Sequence, residues 1–180
     1  PNDDLETVTF VDGFGRAVQV KKDGVVTSAS KGNSAKDENV MIVSGRNVYD
    51  AFGRVAKAFY PTTEGTGSKS TFNKSFDNVS PTVTVYDVLD RATSVTLPDN
   101  STTTTAYTVD NGSHALVTTV TDALHNVQAT HTNGSGKTLK TIQKSGPDGE
   151  ITTSFEYDGI QRLVRVTDTE GNVTTSTYDM

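Results

Sequence analysis

The segment Tyr49-Asp50-Ala51-Phe52-Gly53-Arg54 contains the phrase from which most of this 180-residue chain is built. An aromatic or β-branched residue precedes Asp, two small or apolar residues follow, then Gly or a substitute, then Arg or a substitute, then an alternating strand. Copies stand at Val11-Asp12-Gly13-Phe14-Gly15-Arg16, Tyr86-Asp87-Val88-Leu89-Asp90-Arg91, Thr121-Asp122-Ala123-Leu124-His125-Asn126 and Tyr157-Asp158-Gly159-Ile160-Gln161-Arg162, and another begins at Tyr178-Asp179. This recurrence predicts a repeat architecture.

Each copy has the composition of a chain reversal. The Asp side chain can accept a hydrogen bond from the backbone N–H two residues later, and Gly15 or Gly53 supplies a positive φ at the fourth position. Where Asp90, His125 or Gln161 replaces Gly, we expect the same turn, with backbone strain at His and Gln. Asn133-Gly134-Ser135-Gly136-Lys137 is a degenerate version, and Gly146-Pro147-Asp148-Gly149 is another turn signal.

The residues after each turn alternate with period two, as in a strand covered on one face. In the first copy Val18 and Val20 point one way, while Gln19 and Lys21 point the other, so we expect the valine face to be covered. The Arg that begins each strand falls on the apolar face. We expect it to direct its guanidinium group at the Asp or carbonyl groups of a neighbouring turn.

The pattern predicts an all-β fold of antiparallel β-hairpin repeats that form a curved, open, meander-like sheet. Segments near 30–39 and 61–80 have the composition of longer loops, and no segment has helical periodicity. Strands are expected near 7–11, 16–22, 39–49, 54–60, 82–86, 91–97, 102–109, 114–121, 126–132, 137–144, 150–157, 162–168 and 173–178. Because the chain starts at Pro1 without an initiator Met, we expect residues 1–180 to be a single fragment of a longer repeat protein.

The composition excludes several classes of function. Hydrophobic residues make up 33% of the chain, aromatics 7%, and the net charge is −6, with no Cys and no Trp. The acidic balance argues against a nucleic-acid partner, and the longest apolar runs are too short for membrane insertion. Without Cys there is neither a disulfide framework nor a Cys-based metal site.

The chain resembles the YD-repeat, or RHS-repeat, family, whose consensus is Tyr-Asp, two variable residues, Gly-Arg and an apolar residue before a strand. Tyr49 to Val55 matches throughout, and Tyr157 to Leu163 matches except at the Gly position. The continuation Thr169-Glu170-Gly171-Asn172-Val173-Thr174 into Tyr178-Asp179 matches the second half of the consensus. The phrase Phe10 to Arg16 and the long spacing are similar to the region of Tc-type toxin B components between an amino-terminal β-propeller part and the regular repeats.

The resemblance implies a continuous sheet of hairpins that spirals into a hollow shell in large secreted or cell-surface proteins, many of them bacterial. In Tc toxins and RHS polymorphic toxins the shell encloses a cytotoxic C-terminal segment, and in teneurins it serves cell adhesion. The autoproteolytic Asp-Pro and Gly-Leu signature of the family is absent, so the resemblance carries over no cleavage activity. Implied partners are neighbouring repeats and other domains of the same long chain.

The sequence gives weaker support for metal, phosphate or catalytic sites than for a purely structural role of these residues. His114, His125 and His131 lack companions at metal-ligand spacing, and Asp110-Asn111-Gly112 and Asp148-Gly149-Glu150 lack the distal Glu of a calcium loop. The Gly-x-Gly runs at 13–15, 65–67 and 134–136 lack the context of a phosphate site. The sequence therefore predicts no metal, no cofactor and no catalytic residue, although a glycosidase-like pair of facing carboxylates stays open.

We therefore expect a non-catalytic structural module, a fragment of a repeat shell. The alternative is a carbohydrate-binding or cell-surface-binding adhesion module. The residues assigned to the structural repeat motif are Asp12, Gly15, Arg16, Tyr49, Asp50, Gly53, Arg54, Tyr86, Asp87, Arg91, Asp122, Tyr157, Asp158, Arg162, Tyr178 and Asp179.

Overall fold

A computed structural model describes residues 5–28, 35–75, 80–146 and 149–179. In these ranges the chain forms fifteen strands and one 3-10 turn at Thr66–Ser68. The predicted all-β class is confirmed. The strands are β1 (Thr7–Val11), β2 (Ala17–Ser28), β3 (Lys36–Ser44), β4 (Asn47–Tyr49), β5 (Val55–Ala58), β6 (Thr62–Gly65), β7 (Thr82–Tyr86), β8 (Ala92–Thr96), β9 (Thr102–Val109), β10 (Leu116–Thr121), β11 (Val127–Thr132), β12 (Thr138–Lys144), β13 (Glu150–Tyr157), β14 (Leu163–Thr167) and β15 (Val173–Thr175).

The chain divides into two compact units, Pro1–Val85 with Thr96–Asn100 and Tyr86–Val95 with Ser101–Met180. In the first unit an antiparallel sheet has the order β1-β2-β3-β6, and β5 pairs with β4 and with β7. In the second unit β8 to β15 lie side by side in chain order. Each pair from β9 and β10 to β14 and β15 is antiparallel, as the hairpin phrase predicts.

The two predicted loops contain strands. Residues 30–34 and 76–79 lie outside the described residues, but β3 already begins at Lys36, and β6 lies within the stretch 61–80. Strand β6 pairs with β3 in the register Val43↔Thr62 to Val40↔Gly65. Its Thr-rich sequence suits a pleated strand, and the Val-rich β3 supplies the edge. The Gly, Ser and Lys around both strands explain why the sequence predicts loops there, and residues 66–75 do lie outside the strands.

Two strand boundaries also differ from the prediction. The stretch 39–49 is split, because Gly45 adopts a φ of 63° that separates β3 from β4. Strand β2 continues beyond residue 22 as far as Ser28. Its continuation passes through Gly24, where a Cβ atom would lie 2.6 Å from Cδ1 of Ile42. A side chain at position 24 would therefore force the Ile42 side chain to move.

The expected orientation of β2 is wrong. Val18 and Val20 are only half-buried, whereas Gln19 and Lys21 are fully buried, at 0% exposure. Lys21 lies opposite Val43, which is also fully buried. Residues 66–75, which we call the strap, supply partners for this polar face, and burial of polar side chains is tolerated only when such partners exist.

The strap is attached to the sheet by side-chain contacts. Phe72 packs edge to face against Phe10 of β1, with ring centroids 5.6 Å apart. At the far end of the strap the Arg46 guanidinium group, which is 2% exposed, donates to the carbonyl oxygen of Ser75. The strap therefore closes one face of the β1-β2-β3-β6 sheet.

Candidate functional site

The turn that begins at Asp12 is a closed hydrogen-bonded ring. Oδ1 of Asp12 accepts from the backbone N–H of Phe14 at 2.8 Å and of Arg16 at 3.0 Å. Oδ2 accepts from Nε of Arg16 at 2.7 Å. The backbone is closed by Asp12 N–H to the Arg16 carbonyl and by Gly15 N–H to the Asp12 carbonyl. The Asp side chain therefore satisfies donors at both ends of a five-residue reversal.

The same geometry recurs wherever the motif has both Asp and Arg. In the turns of Asp50, Asp87 and Asp158, Oδ2 again accepts from the Nε of the Arg four residues later at 2.7 Å. The expectation that each Arg reaches the Asp of a neighbouring turn is therefore wrong. Four residues across a tight reversal place the guanidinium group beside the Asp of its own turn.

Three further turns replace one partner. In the turns of Asp122 and Asp168 an Asn stands at the Arg position and donates its Nδ2 at 2.8 Å. In the third, Asn133 replaces Asp, and its Oδ1 accepts from the N–H of Ser135 and Lys137. Sequence reasoning missed Asp168, although Thr167 precedes it as Thr121 precedes Asp122, because polar Thr169 and Glu170 stand where the other copies have small or apolar residues. The available signal was the five-residue spacing from Asp through Gly171 to a polar donor.

The fourth residue of every such turn adopts a positive φ. The values are 76° at Gly15, 83° at Gly53, 78° at Gly136 and 84° at Gly171. The residues that replace Gly do the same, as predicted, with 61° at Asp90, 64° at His125 and 66° at Gln161.

The turn carboxylates are held in their ionised form. The Arg16 side chain holds the pKa of Asp12 below its ordinary value, and the Asn126 side chain does the same for the pKa of Asp122. For Asp50 burial raises the pKa, but the Arg54 N–H and guanidinium group outweigh it and the pKa is lowered. A carboxylate committed to turn donors with a lowered pKa is poorly suited to general acid catalysis, which needs a raised one.

Tyrosine rings connect one turn to the strand of another. The guanidinium carbon lies 4.2 Å from the ring centroid of Tyr49 for Arg16, 3.9 Å from that of Tyr107 for Arg91 and 4.6 Å from that of Tyr178 for Arg162. Nζ of Lys137 lies 5.9 Å from the Tyr157 centroid. Such contacts are attractive because the ring face carries negative charge.

The tyrosine hydroxyl groups follow a matching rule. Tyr49 donates to the carbonyl oxygen of Ala17 at 2.9 Å, Tyr157 to that of Thr138 at 2.9 Å and Tyr178 to that of Leu163 at 2.7 Å. In each case the acceptor is the residue directly after the cation on which the ring lies. We call the combination of ring contact and hydroxyl bond the tyrosine clamp. Sequence reasoning missed it, because its partners are 15 to 32 residues apart.

The other motif residues lie at strand ends. Tyr86 ends β7 and is half-buried, and Asp179 is exposed beyond β15. The structure thus brings Asp12 with Arg16, Asp50 with Arg54, Asp87 with Arg91 and Asp158 with Arg162, while Tyr49 and Tyr178 join Arg16 and Arg162.

The described residues contain no group of three or more His, Cys, Asp or Glu side chains that could hold a metal ion. Asp110, a candidate calcium ligand, accepts instead from Gly112 N–H and from Ser113, and its Oδ2 lies 3.7 Å from Nδ1 of His131. The other candidate includes Asp148, which lies outside the described residues. No helix in the described ranges has the length and apolarity to span a membrane.

Comparisons with known proteins support the fold. A family described as a domain of unknown function (DUF6443) matches residues 1–107, and no curated protein matches the chain significantly. The crystal structure of TcdB2-TccC3-TEV matches with a TM-score of 0.65 at 19% identity. Those of TcdB2-TccC3 and of TcdB2-TccC3 without its hypervariable C-terminal region match with TM-scores of 0.63 and 0.62 at 18% identity.

Each of these matches covers 91% of the present chain but only 9% of the solved one. The chain therefore has the fold of a short segment of a much longer chain. This likeness confirms the RHS/YD-repeat resemblance at the level of the fold.

Proposed function

The chain belongs to the family described as a domain of unknown function (DUF6443), and we propose that it is a non-catalytic section of the wall of a β-repeat shell. The wall would form part of a large secreted or cell-surface protein of the YD-repeat or RHS-repeat type. Residues 1–180 would be one fragment of that repeat region, with neighbouring repeats and other domains of the same protein as partners.

The tyrosine clamp is the observation that carries this proposal. It joins a residue at the end of one strand to the turn of another copy, so the repeated phrase encodes attachment between hairpins as well as the turn of each hairpin. Stability in such arrays comes from the contacts between neighbouring repeats. A wall extended hairpin by hairpin needs a connection of this kind at regular intervals.

The turn geometry supports a structural role over an enzymatic one. The Asp and Arg groups that recur through the chain bond to each other and to their own turn, with lowered pKa values at the carboxylates. Guanidinium groups cover one face of Tyr49, Tyr107 and Tyr178, which leaves those faces unavailable as platforms for sugars.

The similar solved structures suggest what the wall surrounds. One of them is TcdB2-TccC3 without its hypervariable C-terminal region, so the rest of that protein has a defined structure without this region. By this likeness we propose that the wall encloses or presents another segment of its own protein.

Limited proteolysis of the full-length protein that contains this chain tests the proposal. A segment enclosed by the wall should resist protease in the wild type and become sensitive in the double variant Arg162→Ala/Tyr178→Phe. The matched control is Arg165→Ala, whose guanidinium group lies 3.8 Å from Glu156 on an exposed surface. Equal sensitivity of all three proteins, or specific binding of the isolated chain on a glycan array, would contradict a role as wall alone.

A further inference from the structure

In the first unit, a fully buried lysine of β2 points towards the strap. Lys21 is 0% exposed, and its Nζ donates to Oε1 of Glu64 and to the carbonyl oxygens of Ser68 and Thr71. Burial raises the pKa of Glu64, but the hydrogen bonds from Lys21, Ser68 and Asn73, together with the charge of Lys21, outweigh it, so the pKa lies below its usual value. The resting pair is therefore an ammonium ion beside a carboxylate.

The second oxygen of the same carboxylate holds a side-chain amide. Oε2 of Glu64 accepts from Nδ2 of Asn73 at 2.8 Å, and Oδ1 of Asn73 accepts from the N–H of Ser75 at 2.8 Å. The backbone of Asn73 is fixed by Gln19, which both donates to its carbonyl and accepts from its N–H at 2.9 Å. One carboxylate thus bridges an amine and an amide that are held from several sides.

One aromatic ring lies near the buried amine. Nζ of Lys21 lies 5.6 Å from the ring centroid of Phe10, and Phe72 of the strap packs against that ring. The Lys21 side chain itself is fully buried, whereas Glu64 and Asn73 are half-buried.

We propose that Lys21 and Asn73 react to form an intramolecular isopeptide bond, with Glu64 as the acid and base that transfers protons. A simple ion pair would account for Glu64 and the two carbonyl groups around Lys21. It does not account for the Asn73 amide, which donates to the other oxygen of Glu64 while its own carbonyl oxygen accepts from the N–H of Ser75.

The reaction balances without any further reagent. The Lys21 ammonium gives one proton to Glu64, and the freed nitrogen lone pair attacks Cγ of Asn73. The carbonyl electron pair moves to Oδ1, beside the donating N–H of Ser75, which acts as an oxyanion donor. Glu64 then gives its proton to the amide nitrogen and takes one from Nζ. The C–N bond breaks, the C=O bond re-forms, and the ammonia released takes the last proton from Glu64 as ammonium.

The bond would fasten the strap covalently to β2. Asn73, one end of the proposed bond, lies 54 residues after Gln19, which is close to the other end at Lys21. A cross-link that closes so long a loop restricts the unfolded chain, as a disulfide does. The chain has no Cys, so a disulfide is not available for this purpose. The bond forms within one unit whatever the role of the chain in a larger protein.

Intact-mass spectrometry of the purified chain tests the proposal. The wild type should have a mass lower than its sequence mass by one ammonia molecule, and protease digestion should yield one branched peptide that joins Lys21 to Asn73. Lys21→Arg should have the full sequence mass, and Glu64→Gln should lose ammonia much more slowly or not at all. Lys22→Arg is the matched control, since Lys22 is exposed on the same strand, and it should behave as the wild type.

Two results would overturn the proposal. One is a wild-type mass equal to the sequence mass after prolonged incubation of the folded chain. The other is a loss of ammonia that persists in Lys21→Arg, which would indicate a succinimide at an Asn-Gly pair such as Asn133-Gly134. Because the wild-type digest decides the matter directly, a variant that fails to fold does not rescue the proposal.

Discussion

The guanidinium carbon of Arg162 lies 4.6 Å from the ring centroid of Tyr178. The two residues belong to different copies of the repeated phrase, because Arg162 ends the turn of Asp158 and Tyr178 precedes Asp179. Asp and Arg of the phrase are therefore partners within one copy, whereas Tyr and Arg are partners between copies. The first pairing shapes a hairpin, and the second attaches it to another.

The hydroxyl half of the clamp can be tested at Tyr157. Tyr157→Phe removes the hydrogen bond to the carbonyl oxygen of Thr138 but keeps the ring over Lys137. We expect the free energy of unfolding in urea to fall by about 1 kcal/mol. Tyr60→Phe is the control, because its hydroxyl lies 3.5 Å from Oγ1 of Thr82. Equal losses in both variants would argue against the clamp.

The left-handed position of the turn predicts opposite effects for two glycines. Gly171 has a φ of 84° in open space, whereas Gly159 has no positive φ and no atom near its Cβ position. Gly171→Ala should lower the free energy of unfolding by about 1 kcal/mol, and Gly159→Ala should leave it unchanged or raise it slightly.

The same geometry predicts a stabilising change at Gln161, whose φ is 66°. Gln161→Gly should raise the midpoint of thermal unfolding, because Gly adopts a positive φ without steric cost. The gain should be modest, since Gly also increases the conformational entropy of the unfolded chain. A lower midpoint would show that the Gln side chain stabilises the turn by contacts that outweigh this strain.

The buried face of β2 gives a test in which sequence pattern and structure disagree. The sequence alternation of β2 predicts that Gln19 faces solvent, and on that prediction Gln19→Leu would not change stability. In the structure this change leaves the N–H and carbonyl of Asn73 without the Gln19 amide. We expect a loss of about 2–3 kcal/mol of unfolding free energy in denaturant titration. Gln128→Leu, at an exposed position of β11, should change stability little.

The lowered carboxylate pKa values predict acid destabilisation. The pKa of Asp168 lies below its ordinary value of 3.8, chiefly because of the Asn172 side chain and N–H. At low pH the unfolded state therefore binds more protons than the folded state. The stability from such groups is complete above about pH 4 and is lost as the pH falls through their folded pKa values.

Thermal unfolding followed between pH 7 and pH 2 should show this decline. Asp168→Asn removes one titrating group while keeping the acceptor that Asn133 provides in its own turn. This variant should lose less stability on acidification than the wild type. A midpoint that rises below pH 4 would contradict the assigned direction of the pKa shifts.

How well the sequence predicts a contact depends on how far apart the interacting residues lie along the chain. The turn at Asp12 was predictable because its carboxylate accepts from the N–H of Phe14, only two residues later, whereas the bond from the Arg16 side chain within the same turn was not predicted. The positive φ at Asp90, His125 and Gln161 was predictable for the same reason. The turn at Asp168 uses the same chemistry, but polar Thr169 and Glu170 replace the small or apolar residues of the other copies.

Local hydrogen-bonding chemistry and the period-two alternation can be read directly from the sequence. They are enough to predict the turns, the antiparallel hairpins and the all-β class. They do not tell which face of β2 is buried. That choice depends on β6 and the strap, which bring Glu64, Asn73 and backbone carbonyl groups to Lys21 and Gln19 from 43 to 54 residues away. Since a buried polar group is stable only with its partners in place, the tertiary structure alone selects the polar face of β2 as the buried one.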